Sequence, residues 1–143
     1  MHGAHSIVRQ LLFLGAAILL AGAVWPVFGE SGAPVEVETA ADGVQRVSMK
    51  MDSYSYTPNH VVVRAGKPVE LILTSVTILT PHNFVLKEPA AGLAVEQDVG
   101  AGKTVTVRFT PAQPGVFTFY CDKKLLFFAS HREKGMEGRL EVR

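Results

Sequence analysis

The chain is 143 residues long, so it has room for one domain with a hydrophobic core of its own. Its 14 Lys and Arg residues nearly balance its 13 Asp and Glu residues, which argues against nucleic acid as a partner. With a single cysteine, Cys121, the chain cannot form an internal disulfide. The thiol therefore binds a metal, forms an intermolecular disulfide or is a free thiol without a role.

The first part of the chain is typical of a targeting segment. Arg9 is followed by a run from Leu11 to Phe28 that contains only apolar residues, Gly and one Pro. This pattern predicts a signal peptide over residues 1–29, with an uncleaved membrane anchor as the alternative. We expect the protein to be periplasmic or otherwise exported, and tethered to a membrane if the segment is retained.

Residues 30–44 are predicted to be a short lead, and from residue 45 onward short runs alternate apolar and polar side chains. Gly and Pro residues separate these runs, as they do between strands. The clearest runs are KPVELILTS, with Val69, Leu71 and Leu73 on one face, and GVFTFYC, with Phe117, Phe119 and Cys121 on one face. Period-two alternation of this kind predicts an all-β fold, a β-sandwich of Greek-key type.

Four side chains that can bind a metal lie at or near the ends of predicted strands. Cys121 ends the run GVFTFYC, His131 and Met136 lie in the next loop, and His82 lies in TPHNFVL, just before the strand-like run from Phe84 to Leu86. One Cys, two His and one Met form the ligand set of a mononuclear blue (type 1) copper site. Zinc is disfavoured because a thioether is not among its usual ligands.

The chain resembles the cupredoxins, the family of plastocyanin and azurin, over about residues 45–143. The segments that carry the resemblance are YTPNHVVVRAGKPVELIL, PHNFVL, VGAGKTVTVRFTPAQPGVFTFYC and HREKGMEGRLEV. The resemblance implies a cupredoxin domain over residues 45–143 and one type 1 copper ion as cofactor. It implies that the copper ligands are His82, Cys121, His131 and Met136. Asn83 would then tie the two ligand loops together by hydrogen bonds near the sulfur.

One departure from the family is the loop between the cysteine and the second histidine. Nine residues lie between Cys121 and His131, whereas typical members have only a few there. The loop must leave the site and return to it, at a modest additional cost in loop entropy. Its length puts the rigidity of the site in question.

The same loop holds four consecutive apolar residues: Leu125, Leu126, Phe127 and Phe128. They either fill the core or form an exposed platform beside His131 on which a redox partner docks. Around such a platform the cations Lys123, Lys124, Arg132 and Lys134 outnumber the acids Asp122 and Glu133. This excess would favour an acidic face on the partner.

The leading functional expectation is an exported one-electron carrier whose partner is a redox protein such as a cytochrome or an oxidase. The alternative is a copper-binding protein for resistance, delivery or storage without rapid electron transfer. We do not expect an enzyme, because His60, His82 and His131 are the histidines beyond residue 29 and are too few for a second copper centre. A membrane would be a partner only if the N-terminal segment is retained.

Overall fold

The computed structural model describes residues 32–143, so the predicted signal or anchor segment lies outside the described residues. This part of the chain is built from β-strands, with one short 3₁₀ helix at Pro89–Ala91. None of its helices is long and apolar enough to cross a membrane. The strands are β1 Val35–Glu36, β2 Gln45–Asp52, β3 Ser55–Thr57, β4 His60–Val63, β5 Val69–Ser75, β6 His82–Glu88, β7 Leu93–Val99, β8 Thr104–Phe109, β9 Gly115–Tyr120 and β10 Glu137–Val142.

The strands form two sheets that pack as a sandwich. One sheet has six strands in the order β1-β4-β10-β9-β6-β7, and the other has four in the order β3-β2-β5-β8. Neighbours in the sheets are often distant in sequence, as where β2 pairs in parallel with β5. The predicted all-β sandwich is confirmed.

The core lies between the sheets and is formed by the apolar face of each strand. In β5 the alternation is complete, since Val69, Leu71 and Leu73 are buried while the residues between them are partly exposed. From the opposite sheet Phe84 and Phe119 stack at 5.0 Å between ring centroids. Period-two patterning therefore predicted these faces correctly.

The segment predicted as a lead contributes to the larger sheet. β1 pairs in parallel with β4, with Val35 opposite Val61. Thr39 also forms an isolated bridge with Gln45, the first residue of β2. The ordered sandwich therefore begins before residue 45.

Candidate metal centre

Three neighbouring strands bring the predicted ligands to one end of the six-stranded sheet. β6 is antiparallel to β9, so His82 at the start of β6 lies near Cys121, which follows the end of β9. β9 is in turn antiparallel to β10, with Tyr120 opposite Glu137, so the residue before β10, Met136, reaches the same end. We call this the metal end of the sandwich.

Three of the four predicted ligands form one buried cluster. The donor atoms of His82, Cys121 and His131 all lie within 4.8 Å of one another. Cys121 Sγ is 3.3 Å from His131 Nδ1, and the two imidazole centroids are 5.1 Å apart. His82 and Cys121 are fully buried, and His131 is 7% exposed. The fold thus brings the distant histidine against the thiol, as a shared metal site requires.

Met136 is held beside this cluster by its backbone. Its N–H donates to the carbonyl of His131 at 2.9 Å, and its carbonyl accepts from the N–H of Cys121 at 3.1 Å. Its side chain is fully buried, in the same core cluster as Cys121. This position is compatible with the axial thioether of a type 1 site, and that role stays a prediction.

A hydrogen bond closes the long ligand loop at its base. The N–H of His131 donates to the carbonyl of Lys123 at 2.8 Å, only two residues after Cys121. Residues 124–130 therefore project from the site, while both ends of the loop are fixed. The additional length is absorbed outside the site, which explains how the loop can be long and still place His131 next to the sulfur.

A short capped turn sets the spacing between His131 and Met136. Ser130 Oγ accepts from the N–H of Glu133 at 3.2 Å, and Glu133 Oε2 accepts from the N–H of Ser130 at 2.6 Å. These reciprocal bonds form a capping box, which stabilises the start of a helical turn. Gly135 ends the turn with φ +95°, a conformation that strains other residues. The capping box and Gly135 therefore fix the backbone positions of His131 and Met136.

Asn83 links the two strand ends that carry His82 and Cys121. Its side chain donates to Asp122 Oδ1 at 2.7 Å and accepts from the N–H of Asp122 at 3.1 Å. Its backbone N–H lies 3.4 Å from Cys121 Sγ, and its carbonyl accepts from Tyr56 OH at 2.7 Å. An N–H directed at a sulfur stabilises a thiolate, which is the form that binds metals.

Thr77, in the loop between β5 and β6, is a site residue that sequence reasoning missed. Its Oγ1 donates to the carbonyl of Thr80 at 2.6 Å and lies 3.3 Å from His82 Nε2. Because the Thr77 proton is used by Thr80, we assign the Nε2–H tautomer to His82, with Thr77 as its acceptor. No local sequence pattern could indicate this contact, which depends on how the loop folds back.

The other ring nitrogen of His82, Nδ1, provides the strongest support for a metal site. Within residues 32–143, His82 Nδ1 is buried and has no hydrogen-bond partner. A buried polar atom without a partner is costly, and an unseen ion is one of its standard explanations. With the Nε2–H tautomer this atom carries a lone pair, beside the sulfur of Cys121 and the ring of His131. One thiol and two imidazoles form the donor set of one copper ion.

Burial keeps all three donors uncharged in the absence of a metal. Burial, followed by the neighbouring His131, lowers the pKa of His82 to about 4. Burial and then Lys134 lower the pKa of His131, and burial raises the pKa of the Cys121 thiol. Neutral imidazoles are ready to bind at neutral pH, whereas the thiol must release its proton to the solvent on metal binding.

The low pKa of His82 predicts that the metal-free protein loses stability in acid. In the unfolded chain His82 takes up a proton near its usual pKa of 6.5, whereas in the folded protein it does so only near 4. The unfolded state therefore binds more protons as the pH falls through this window. We expect His82 to lower the free energy of unfolding by about 2 kcal/mol between pH 7 and pH 5.

Urea unfolding of metal-free wild type and His82→Gln at several pH values measures this effect. The two unfolding free energies should differ by an amount that changes with pH between about 7.5 and 4 and is constant above that window. A difference that does not change with pH would contradict the buried neutral imidazole.

The apolar run of the ligand loop is exposed, so the alternative in which it fills the core is wrong. The exposed fractions are 68% for Leu125, 73% for Leu126, 86% for Phe127 and 54% for Phe128.

Leu125 and Phe128 face a cleft of about 380 Å³, and His131 lies in its wall. The cleft is also lined by Leu79 and by three of the four predicted cations, Lys123, Lys124 and Lys134. Arg132 lies instead over the ring of Tyr120, at 3.9 Å.

Solved structures with the same fold include several copper proteins. The metal-binding domain of the Cu(I)-exporting P-type ATPase CopA of Streptococcus pneumoniae D39, solved with Cu(I), superposes with a TM-score of 0.60 at 19% identity, covering 80% of this chain and 99% of that one. Reduced rusticyanin has a TM-score of 0.59 at 16% identity, covering 80% and 87%. Auracyanin of Roseiflexus castenholzii has a TM-score of 0.57 at 17% identity, covering 68% and 96%.

The family comparison agrees with the fold. The model of the cupredoxin-like domain matches residues 17–136. The matched segment takes in most of the chain, including His82, Cys121 and His131, and ends at Met136. The chain therefore belongs to the cupredoxin family.

Proposed function

We propose that this protein is a one-electron carrier that holds one copper ion between His82, Cys121, His131 and Met136. The buried, partnerless Nδ1 of His82 beside the thiol of Cys121 is the observation that carries the proposal. Copper bound there would supply the exchange between Cu(I) and Cu(II). A protein that keeps its donors in one arrangement lowers the reorganisation that accompanies such an exchange.

Several contacts support a fixed arrangement of the donors. The Lys123–His131 hydrogen bond closes the ligand loop, and Asn83 joins the strand ends on either side of the sulfur. The ring of His131 is further held by Tyr54, whose ring meets it edge-on at a centroid distance of 5.1 Å. His82, Cys121 and His131 are thus restrained by neighbours that would not themselves bind the ion.

His131 is the donor through which a partner would exchange electrons. It is the most exposed of the four predicted ligands, and it lies in the wall of the cleft at the metal end. We propose that a redox protein such as a cytochrome or an oxidase docks there. The lysines of the cleft would favour an acidic surface on that partner.

We also propose that the domain is not an enzyme on its own and that the protein is exported, with residues 1–29 as signal peptide or anchor. His60, the other histidine of the described chain, lies 3.1 Å from Glu141 rather than in the cluster. It therefore adds no ligand for a second copper ion at the metal end.

The second candidate function is copper delivery, resistance or storage. It is favoured by the similarity to the CopA metal-binding domain, which was solved with Cu(I). Two measurements on copper-loaded protein separate the candidates: the electron self-exchange rate from NMR line broadening, and the rate of Cu(I) transfer to a soluble chelator. A carrier should exchange electrons rapidly and lose copper slowly. Slow self-exchange with rapid copper loss would overturn the carrier proposal in favour of the second candidate.

A further inference from the structure

Six exposed apolar side chains form a projection at the metal end, which we call the apolar tip. Ile78 and Leu79 come from the loop between β5 and β6, and their exposed fractions are 88% and 89%. The other four are Leu125, Leu126, Phe127 and Phe128 of the ligand loop. Leu79, Leu125 and Phe128 line the same cleft, so the two loops are neighbours. Large apolar side chains grouped in this way mark an interaction surface.

The tip is a protrusion rather than a flat patch. The N–H of Phe128 donates to the carbonyl of Leu125 at 3.0 Å, and Leu126 lies in the left-handed region with φ +49°. The backbone therefore turns tightly at the end of the loop. Ile78, Leu126 and Phe127, which are among the most exposed members, do not line the cleft. These three side chains are therefore exposed outside the cleft.

A collar of positive charge lies behind the tip. Lys123, Lys124 and Lys134 are the charged residues that line the cleft. Lys123 pairs with Asp98 at 2.7 Å, whereas neither Lys124 nor Lys134 forms an ion pair within residues 32–143. The two acids of the loop region are engaged elsewhere, Asp122 with Asn83 and Glu133 with Ser130. An apolar surface with lysines next to it is complementary to the membrane interface, where acyl chains meet anionic headgroups.

The chain outside the described residues joins the sandwich at this same end. The N–H of Gly32 donates to Asn59 Oδ1 at 2.9 Å, and the carbonyl of Asn59 accepts from the N–H of Arg139 at 2.7 Å. Arg139 is three residues after Met136, at the beginning of β10. Gly32, the first described residue, thus lies at the metal end. If residues 1–29 are retained as an anchor, they would hold the tip towards the bilayer.

We propose that the apolar tip inserts into the headgroup and outer acyl region of an anionic lipid bilayer. The lysines of the collar then lie at the level of the phosphates, and the His131 cleft is held at the membrane surface. Under the proposed function this position would present His131 to a membrane-bound redox partner. The insertion itself requires no copper, so its failure would leave the proposed function intact.

Tryptophan fluorescence of the full chain tests the insertion. In a Trp25→Phe background, Phe127→Trp places the single indole at the tip. The protein is mixed with vesicles of phosphatidylcholine and phosphatidylglycerol whose acyl chains are brominated, so that an inserted indole is quenched. We expect a blue shift and strong quenching with the mixed vesicles, and weaker quenching with phosphatidylcholine alone.

Two further variants make the result specific to the tip. Lys67→Trp, in the same background, places the indole on the exposed turn between β4 and β5 at the opposite end and should be neither shifted nor quenched. Lys124→Glu, added to Phe127→Trp, should raise the concentration of anionic lipid needed for half-maximal quenching by roughly 30-fold, since each unit of charge near the surface changes binding about fivefold and the reversal changes the charge by two units. Equal quenching at positions 67 and 127 would overturn the proposal, because the N-terminal segment alone would then explain binding. If vesicles do not change the fluorescence spectrum of Phe127→Trp, the proposal is also overturned. The apolar tip would then be a docking surface for a protein partner.

Discussion

Cys121→Ser removes the intense sulfur-to-copper charge-transfer absorption that we expect of the Cu(II)-loaded protein. The absorption requires a thiolate bound to the ion, and Cys121 is the only cysteine in the chain. The side chain is fully buried beside His131, and the serine hydroxyl is a much harder donor. Visible and paramagnetic-resonance spectra of the loaded variant should lose the type 1 signature completely.

A matched control and a fold measurement make that result interpretable. His60→Gln removes a histidine that lies outside the cluster, and its copper spectrum should equal that of wild type. Circular dichroism should show that Cys121→Ser keeps the β-sandwich. If the folded serine variant retains the absorption, another ligand is responsible for it, and the proposed site is wrong.

Gly138→Ala destabilises the protein severely, with an expected loss of about 3 kcal/mol or more in the free energy of unfolding. A Cβ at this position would lie 2.4 Å from Phe119 Cζ and 2.5 Å from the carbonyl oxygen of Asn59. Neither can move easily. Phe119 is held between the rings of Tyr56 and Phe84, at centroid distances of 5.1 and 5.0 Å, and the Asn59 carbonyl accepts a bond from Arg139.

The matched control for this substitution is Gly100→Ala. A Cβ there meets only Lys103 Cγ, at 3.4 Å, which is ordinary contact with a flexible side chain. Urea unfolding of both variants and wild type measures the difference. Because Phe119 lies two residues before Cys121, we also expect any folded Gly138→Ala protein to bind copper less tightly. A loss below 0.5 kcal/mol, the range of ordinary surface substitutions, would contradict the close approach of β10 to Phe119.

The strands were predictable because they depend on short-range patterns. Alternation assigns the buried face of a strand directly, as in β5. The meeting of His82 with Cys121 could not be deduced from alternation and was implied by the family resemblance. The hydrogen bonds of Asn83 to Asp122, which lies 39 residues further along the chain, are of the kind that the resemblance implied.

Other features could not be predicted because they depend on how loops fold back. An apolar run such as Leu125–Phe128 fits a core or a surface equally well, and only the loop's closure at Lys123 and His131 turns it outwards. Thr77 reaches His82 through a turn that has no sequence signature. β1 is two residues long, too short for any periodicity, and it is stabilised by pairing with β4.

X-ray absorption at the copper edge of the loaded wild-type protein tests the central claim most directly, since it reports which atoms surround the ion. The claim is that one copper ion is bound by the sulfur of Cys121 and by the imidazoles of His82 and His131, with Met136 beside them. The predicted spectrum shows one short bond to sulfur and two bonds to imidazole nitrogen, and the sulfur shell disappears in Cys121→Ser. A first shell of nitrogen and oxygen alone in the wild-type protein would contradict the account.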